Sequence, residues 1–143
     1  MSKYRFYHPI EVRYGDLDPQ GHVNNARYLT YMEQARVGYL RRVGLWDGRS
    51  FLDIGIIIAE ARVTFKRPIH LGQPVRVGVR IPKLGNKSFR MTYRIEDAET
   101  GDLLAEGETV QVCYDYHTGQ TTPIPEAWRV KIAAFEGIPP REG

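Results

Sequence analysis

The chain has 143 residues, of which 42% are hydrophobic and 26% charged. That is the balance of an ordinary globular protein, and it sets aside collagen, coiled coil and disorder for the chain as a whole. Lys and Arg number 20 against 17 Asp and Glu, so the net charge of +3 is too weak by itself to imply nucleic acid.

The length predicts a single domain over 1–143, large enough for a core without metals or disulfides. There is one cysteine, Cys113, so no intrachain disulfide and no CxxC metal site can form. Cys113 lies in an alternating run with Val110, Val112 and Tyr114 and reads as an ordinary strand residue. Met1–Phe6 holds no apolar stretch behind a basic start, and the longest apolar run, Ile54–Ala59, is far short of a membrane span. A reduced, cytoplasmic protein with no membrane segment and no nucleic-acid partner is expected.

The first element is a strand. Phe6, His8, Ile10, Val12 and Tyr14 alternate with Arg5, Tyr7, Glu11 and Arg13. The turn formers Asp16–Gly21 follow. Over 25–43 the period changes, with Leu29, Met32, Ala35 or Arg36, Tyr39 or Leu40, and Val43 recurring at three and four. Asn24 is placed to cap this helix, Val23 and Tyr28 stand at the two positions of a hydrophobic staple, and Gly44 stands where a left-handed terminator belongs. Such a helix is about 28 Å long. Tyr28, Tyr31 and Val37 add apolar surface beside the main stripe, which predicts a helix wrapped by other structure.

After the Trp46–Arg49 loop, four strands are predicted. Ile57–Phe65, Val75–Ile81 and Phe89–Ile95 each alternate cleanly, while the last, about Leu103–Tyr116, loses phase near Glu106–Thr109. That break predicts a bulge or a strong bend around Gly107. A short helix is predicted over about 125–135, and the tail 138–143 is expected to fray. One apolar face per strand implies an antiparallel sheet with one face on a core. The α+β solution is an antiparallel sheet of about five strands curled around one long central helix. It leaves sheet edges open, so edge-to-edge dimerisation follows.

The densest chemistry lies in Tyr14–Tyr28, where two carboxylates, Asp16 and Asp18, and the imidazole of His22 stand just before a helix start. Backbone N–H groups without partners and the positive end of the helix dipole lie there, so negative charge developing on an oxygen can be stabilised. A nearby carboxylate can act as nucleophile or activate water. The same residues are good turn and cap formers, and pattern alone leaves both roles open.

The stretch Asp16-Leu-Asp-Pro-Gln-Gly-His-Val-Asn-Asn25, with Tyr28 and then Tyr31-Met-Glu-Gln-Ala-Arg36, resembles the hotdog-fold acyl-CoA thioesterases of the 4-hydroxybenzoyl-CoA thioesterase family. The resemblance covers the whole chain in element order, is specific over 12–36, and is weaker at Phe65–Gly72 and Lys87–Phe89. It implies a hotdog fold and hydrolysis of an acyl-CoA or acyl-carrier-protein thioester. The catalytic carboxylate falls on Asp18, and the oxyanion donor on the backbone N–H of Asn25. Gln20 and His22 stand at positions that are Asn and His in the acyl-carrier-protein branch, so His22 matches and Gln20 departs. The resemblance gives Asp16 a loop-holding role and makes Glu33 the reserve catalyst. Tyr14, Asn24 and Tyr28 frame the loop as candidate substrate contacts.

Lys87 and Ser88 match residues of the family's nucleotide-binding stretch, with Lys83, Arg62 and Arg67 as further candidate cations. No metal and no separate cofactor is implied, since coenzyme A is part of the substrate. A homodimer, or a tetramer of two such dimers, is expected. The hydratase-type hotdog motif fits poorly, because its Asp-to-His spacing is five whereas Asp16 and Asp18 precede His22 by six and four. The alternative function is a non-catalytic acyl-CoA-binding hotdog protein.

Overall fold

The structure, a computed structural model, describes residues 3–141. In chain order the elements are β1 (Tyr7–Ile10), α1 (Asn25–Val43), β2 (Ile56–Phe65), β3 (Val75–Arg80), β4 (Ser88–Asp97), β5 (Leu103–Asp115), β6 (Gln120–Thr121) and α2 (Glu126–Glu136), with single 3-10 turns at Tyr14–Asp16 and Phe51–Asp53. The strands make a curled antiparallel sheet in the order β1-β3-β4-β5-β2, and the two-residue β6 adds to β5. With its two helices the chain is α+β.

Helix α1 has the predicted bounds. Asn24 Oδ1 accepts the Ala26 N–H, and Gly44 ends the helix at φ 82°, where a residue with a Cβ would be strained. The buried stripe differs from the predicted one. Tyr28, Tyr31, Met32, Ala35, Tyr39 and Leu40 are buried, whereas Leu29 is 45% exposed. Leu29 stands about 100° round the helix from Tyr28 and falls outside the stripe. β1 is also shorter than the alternation suggested. It ends at Ile10, and Tyr14 is 82% exposed because the chain turns there, closed by the Asp16 N–H donating to Arg13 O.

Gly107 forms no bulge. It stays in register with Tyr93 on β4 and Val63 on β2, and the slips fall instead between Ile58 and Glu60 and between Ile95 and Glu96. Its missing side chain has a different reason: a Cβ would lie 2.6 Å from Met32 Cε and 2.7 Å from Sδ, so the glycine lets α1 sit close on the sheet. The phase is muddled because polar residues occupy the inner face of β5. Thr109, Gln111 and Cys113 are buried there, while Val110 and Val112 are half-buried.

β2 is an edge strand. Ile56 is buried, but most of the strand from Ile58 to Phe65 is exposed on both faces. Helix α2 is anchored from two sides. Glu136 Oε2 accepts the Tyr39 hydroxyl at 2.6 Å and the Ile81 N–H at 3.0 Å. Arg129 donates to the carbonyls of Gly85, Asn86 and Pro140. Of the tail expected to fray, Arg141 pairs with Glu126, and Glu142 and Gly143 lie outside the described residues. Among the described residues no helix is long and apolar enough to cross a membrane.

Candidate active site

The loop before α1 is built on Asp16. Its carboxylate is 1% exposed and accepts the Arg13 N–H at 3.0 Å and the Tyr31 hydroxyl at 2.7 Å, with the Arg13 guanidinium at 3.5 Å and that of Arg27 at 3.8 Å. Burial alone would raise this carboxyl. The bonds from Arg13 and Tyr31 and the Arg13 charge overcome it and hold the group below the ordinary carboxylate range. The Asp16 carbonyl also accepts the Asn24 N–H, so one residue fixes both the loop and the helix start. The loop-holding role expected of Asp16 matches this geometry.

Asp18 sits on the following turn. Its Oδ1 accepts the N–H groups of Gln20 at 2.9 Å and His22 at 3.1 Å, and its own N–H donates to His22 O at 2.7 Å. Both side-chain bonds fall on Oδ1, which leaves Oδ2 with no partner among the described residues. At the adjoining helix start, Asn24 takes the N–H groups of Ala26 and Arg27 through its side chain and its carbonyl. The N–H of Asn25, the first residue of α1, takes no acceptor among those hydrogen bonds. A half-buried carboxylate oxygen and a helix N-terminal donor therefore stand on one short loop.

The surroundings come from the chain after β2. Val23 N–H donates to Ile69 O, and His22 and His70 face each other with rings edge-on at 4.9 Å. Tyr28 packs edge-on against Phe65 at 4.8 Å. Burial raises the Tyr28 phenol, a backbone bond from Ile69 opposes this, and the Asp18 charge adds to it. Asp18, Gln20, His22, Asn24, Asn25 and Tyr28 are thus gathered at one end of α1. Gln20 contributes main chain to Asp18 and is exposed, as is Tyr14.

Lys87 and Ser88 are at the other end of the sheet. Ser88 is level with Val112 and, across it, with Ile57, whereas Phe65 beside Tyr28 is level with Ala105. Ile57 and Phe65 are eight residues apart on one strand, about 26 Å. One chain therefore does not bring these residues to Asp18. Arg62 pairs with Glu108, and Arg67, just before the Ile69 segment, with Asp102. Glu33 is 69% exposed and lies 3.8 Å from Arg36, on the third turn of α1. Among the described residues no group of three or more His, Cys, Asp or Glu is placed to hold a metal ion.

Along α1 runs an open groove of about 990 Å³. Its floor is the helix face with Thr30, Glu33, Val37 and Leu40; one rim carries His8 of β1 and the other Ile56–Ile58 of β2. β1 and β2 are the two ends of the strand order, so the groove is the seam between the sheet's edges.

A family model for the thioesterase-like superfamily matches residues 12–132. The chain belongs to that superfamily. Among its relatives is a 1,4-dihydroxy-2-naphthoyl-CoA hydrolase of Thermosynechococcus vestitus, 30% identical over 82% of this chain and 83% of the relative. The long-chain acyl-CoA thioesterase FadM of Escherichia coli is 27% identical over 86% and 93%. Among solved structures, a Thermus thermophilus thioesterase complexed with coenzyme A and zinc is 39% identical, with a TM-score of 0.84 over 97% of this chain and 100% of that one. The resemblance carried by Asp16–Arg36 is borne out, and the thioesterase-like chain is an acyl-CoA thioesterase of the hotdog class.

One group of polar residues escaped the sequence reading. Arg36 donates to the Tyr93 hydroxyl at 3.0 Å, Tyr93 and Thr109 share a bond of 2.7 Å, and Gln111 Nε2 donates to Thr109 Oγ1. All four are buried. The broken alternation around Glu106–Thr109 is their signal: polar side chains face inward there while the backbone stays in register at Gly107.

Proposed function

We propose that the chain hydrolyses acyl-CoA thioesters with Asp18 as the reacting carboxylate and the Asn25 N–H as oxyanion donor. One observation carries this reading: Asp18 is held through Oδ1 alone, so Oδ2 is positioned but uncommitted beside the helix start. The thioester carbonyl would lie against the first turn of α1, where the dipole and the Asn25 N–H favour the charge that develops on its oxygen. Two routes fit. In one, Oδ2 attacks the carbonyl carbon, the C–S bond breaks, the thiolate leaves and takes up a proton, and water splits the resulting anhydride. In the other, Oδ2 takes a proton from the attacking water and passes it to the departing thiolate. His22, packed on His70, and Tyr28 line the reacting centre, and Tyr14 and Asn24 stand at its rim.

We propose further that the working unit is a homodimer joined along β2. Antiparallel pairing of two β2 edges sets the Ile57 end of one copy beside the Phe65 end of the other. That brings Lys83, Lys87 and Ser88 of the second copy to the Asp18 loop of the first. The exposed Ile58 and Phe65, 40% and 46% accessible, support this edge as the contact. Coenzyme A phosphates would then meet these cations, with Arg62 and Arg67 nearby. The Thermus relative's complex with coenzyme A supports a CoA thioester as substrate. A cytoplasmic setting suits such a substrate.

The test is thiol release over a panel of straight-chain acyl-CoAs and aroyl-CoAs, with the wild type beside Asp18→Asn. The amide oxygen can keep the bonds from Gln20 and His22, so the fold persists. The expected loss is about 10²–10⁴ in kcat/KM, the range for a positioned acid–base group. An Asp18→Asn chain working at the wild-type rate refutes the assignment.

A further inference from the structure

The seam groove is mostly apolar but not uniformly so. Val37, Leu40, Trp46, Phe51, Ile56 and Ile57 line it, and Arg36 lies among them. The Arg36 side chain is only 10% exposed. Its guanidinium has five N–H donors, yet among the described residues its polar contacts are two: the Tyr93 hydroxyl at 3.0 Å and the Glu33 carboxylate at 3.8 Å. Glu33 is 69% exposed, so its charge is largely shared with water.

The wall behind the guanidinium is already committed. Tyr93 is bonded to Thr109, Thr109 accepts from Gln111, and among the described residues no carboxylate joins the set and Gln111 Oε1 is buried without a partner. None of the Arg36 nitrogens is buried without a partner among the described residues, so the donors that Tyr93 and Glu33 leave open onto the groove, where an arriving acceptor has only water to displace. The groove is the side from which one can come, since Arg36 lines it.

Resting on the hydrolase reading above, we propose that Arg36 is a specificity residue: it selects acyl groups that carry an oxygen acceptor, a hydroxyl or carboxylate, remote from the thioester. Asn25 and Arg36 are eleven residues apart, about 16 Å along the helix axis. Helical side chains lean back toward the N-terminus, which shortens that span. Acetyl and propionyl groups stop short of the guanidinium. A longer chain laid along the seam ends beside it, and its terminal oxygen takes the donors that Tyr93 and Glu33 leave.

The experiment compares kcat/KM for acyl-CoAs from hexanoyl to dodecanoyl, each with and without a terminal hydroxyl. At one or more lengths the wild type favours the hydroxylated member by about tenfold to a hundredfold, the worth of one hydrogen bond to a charged group. Arg36→Met brings that ratio to about one, and Arg36→Lys restores part of it. A wild-type ratio near one at every length overturns the proposal, as does a ratio that Arg36→Met leaves unchanged. If Arg36→Met does not fold, Arg36→Lys decides. It keeps the charge but has three donors in place of five, so the ratio falls below that of the wild type; an unchanged ratio overturns the proposal. A chain that releases thiol from none of these substrates refutes the hydrolase reading alone. Calorimetric binding of the free hydroxylated and plain acids then decides the role of Arg36, equal affinities overturning it.

Discussion

Replacing Tyr31 by Phe removes one hydroxyl and little else, and it tests how the loop before α1 is held. The hydroxyl donates to Asp16 Oδ2 at 2.7 Å in a site where both residues are buried. A hydrogen bond to a charged group contributes about 1.5–3 kcal/mol, so a loss of about 2 kcal/mol is expected at pH 7. With an unfolding entropy of about 2.1 cal/mol/K per residue, 143 residues give about 0.3 kcal/mol/K, and the melting temperature falls by about 7 °C. The pH dependence identifies the cause. The Asp16 carboxyl is held below its ordinary value in the folded chain. Its contribution is therefore complete above the ordinary value, about 3.9, and is lost as pH falls through the folded value. Tyr31→Phe lets the folded value rise toward the ordinary one, so the variant has less to lose and the gap from wild type narrows below about pH 4. Urea denaturation of both proteins at pH 7 and at descending pH measures this. A gap that stays constant as Asp16 protonates, or one under about 0.5 kcal/mol at pH 7, refutes the assigned role.

Two further outcomes concern the core. Gly107→Ala forces a methyl against Met32 Sδ and Cε and is expected to cost about 1–3 kcal/mol, toward the low end because methionine adapts, as read by thermal melts. A wild-type melting temperature would remove the packing reason given for this glycine. Cys113 is 1% exposed, and burial pushes its thiol up to about 11. Ellman's reagent should leave it untouched in the native chain and titrate one thiol in urea; rapid native labelling would contradict its place in the core.

The helix and its caps were legible because they are local. Asn24, the three-and-four spacing and Gly44 fix α1 whatever it packs against. The loop was legible as a motif, and the structure adds that Oδ1 and Oδ2 of Asp18 have different fates, which depends on backbone path and leaves no trace in residue types. The burial of Leu29 was misjudged because a stripe's centre is set by the partner surface. The reason for Gly107 was hidden because it lies on α1, in Met32, 75 positions away. The inner face of β5 was hidden because its buried Thr109 and Gln111 are polar and hydrogen-bond to each other and to Tyr93, so hydrophobic alternation had nothing to report.

The grip on Asp18 has an evolutionary consequence. The bonds to its Oδ1 come from main-chain N–H groups at positions 20 and 22, which every residue except proline supplies. A substitution at either position leaves those two bonds in place, so a Gln at position 20 where a related branch carries Asn does not loosen the carboxylate. What the side chains at 20 and 22 do can therefore change one residue at a time without moving Asp18.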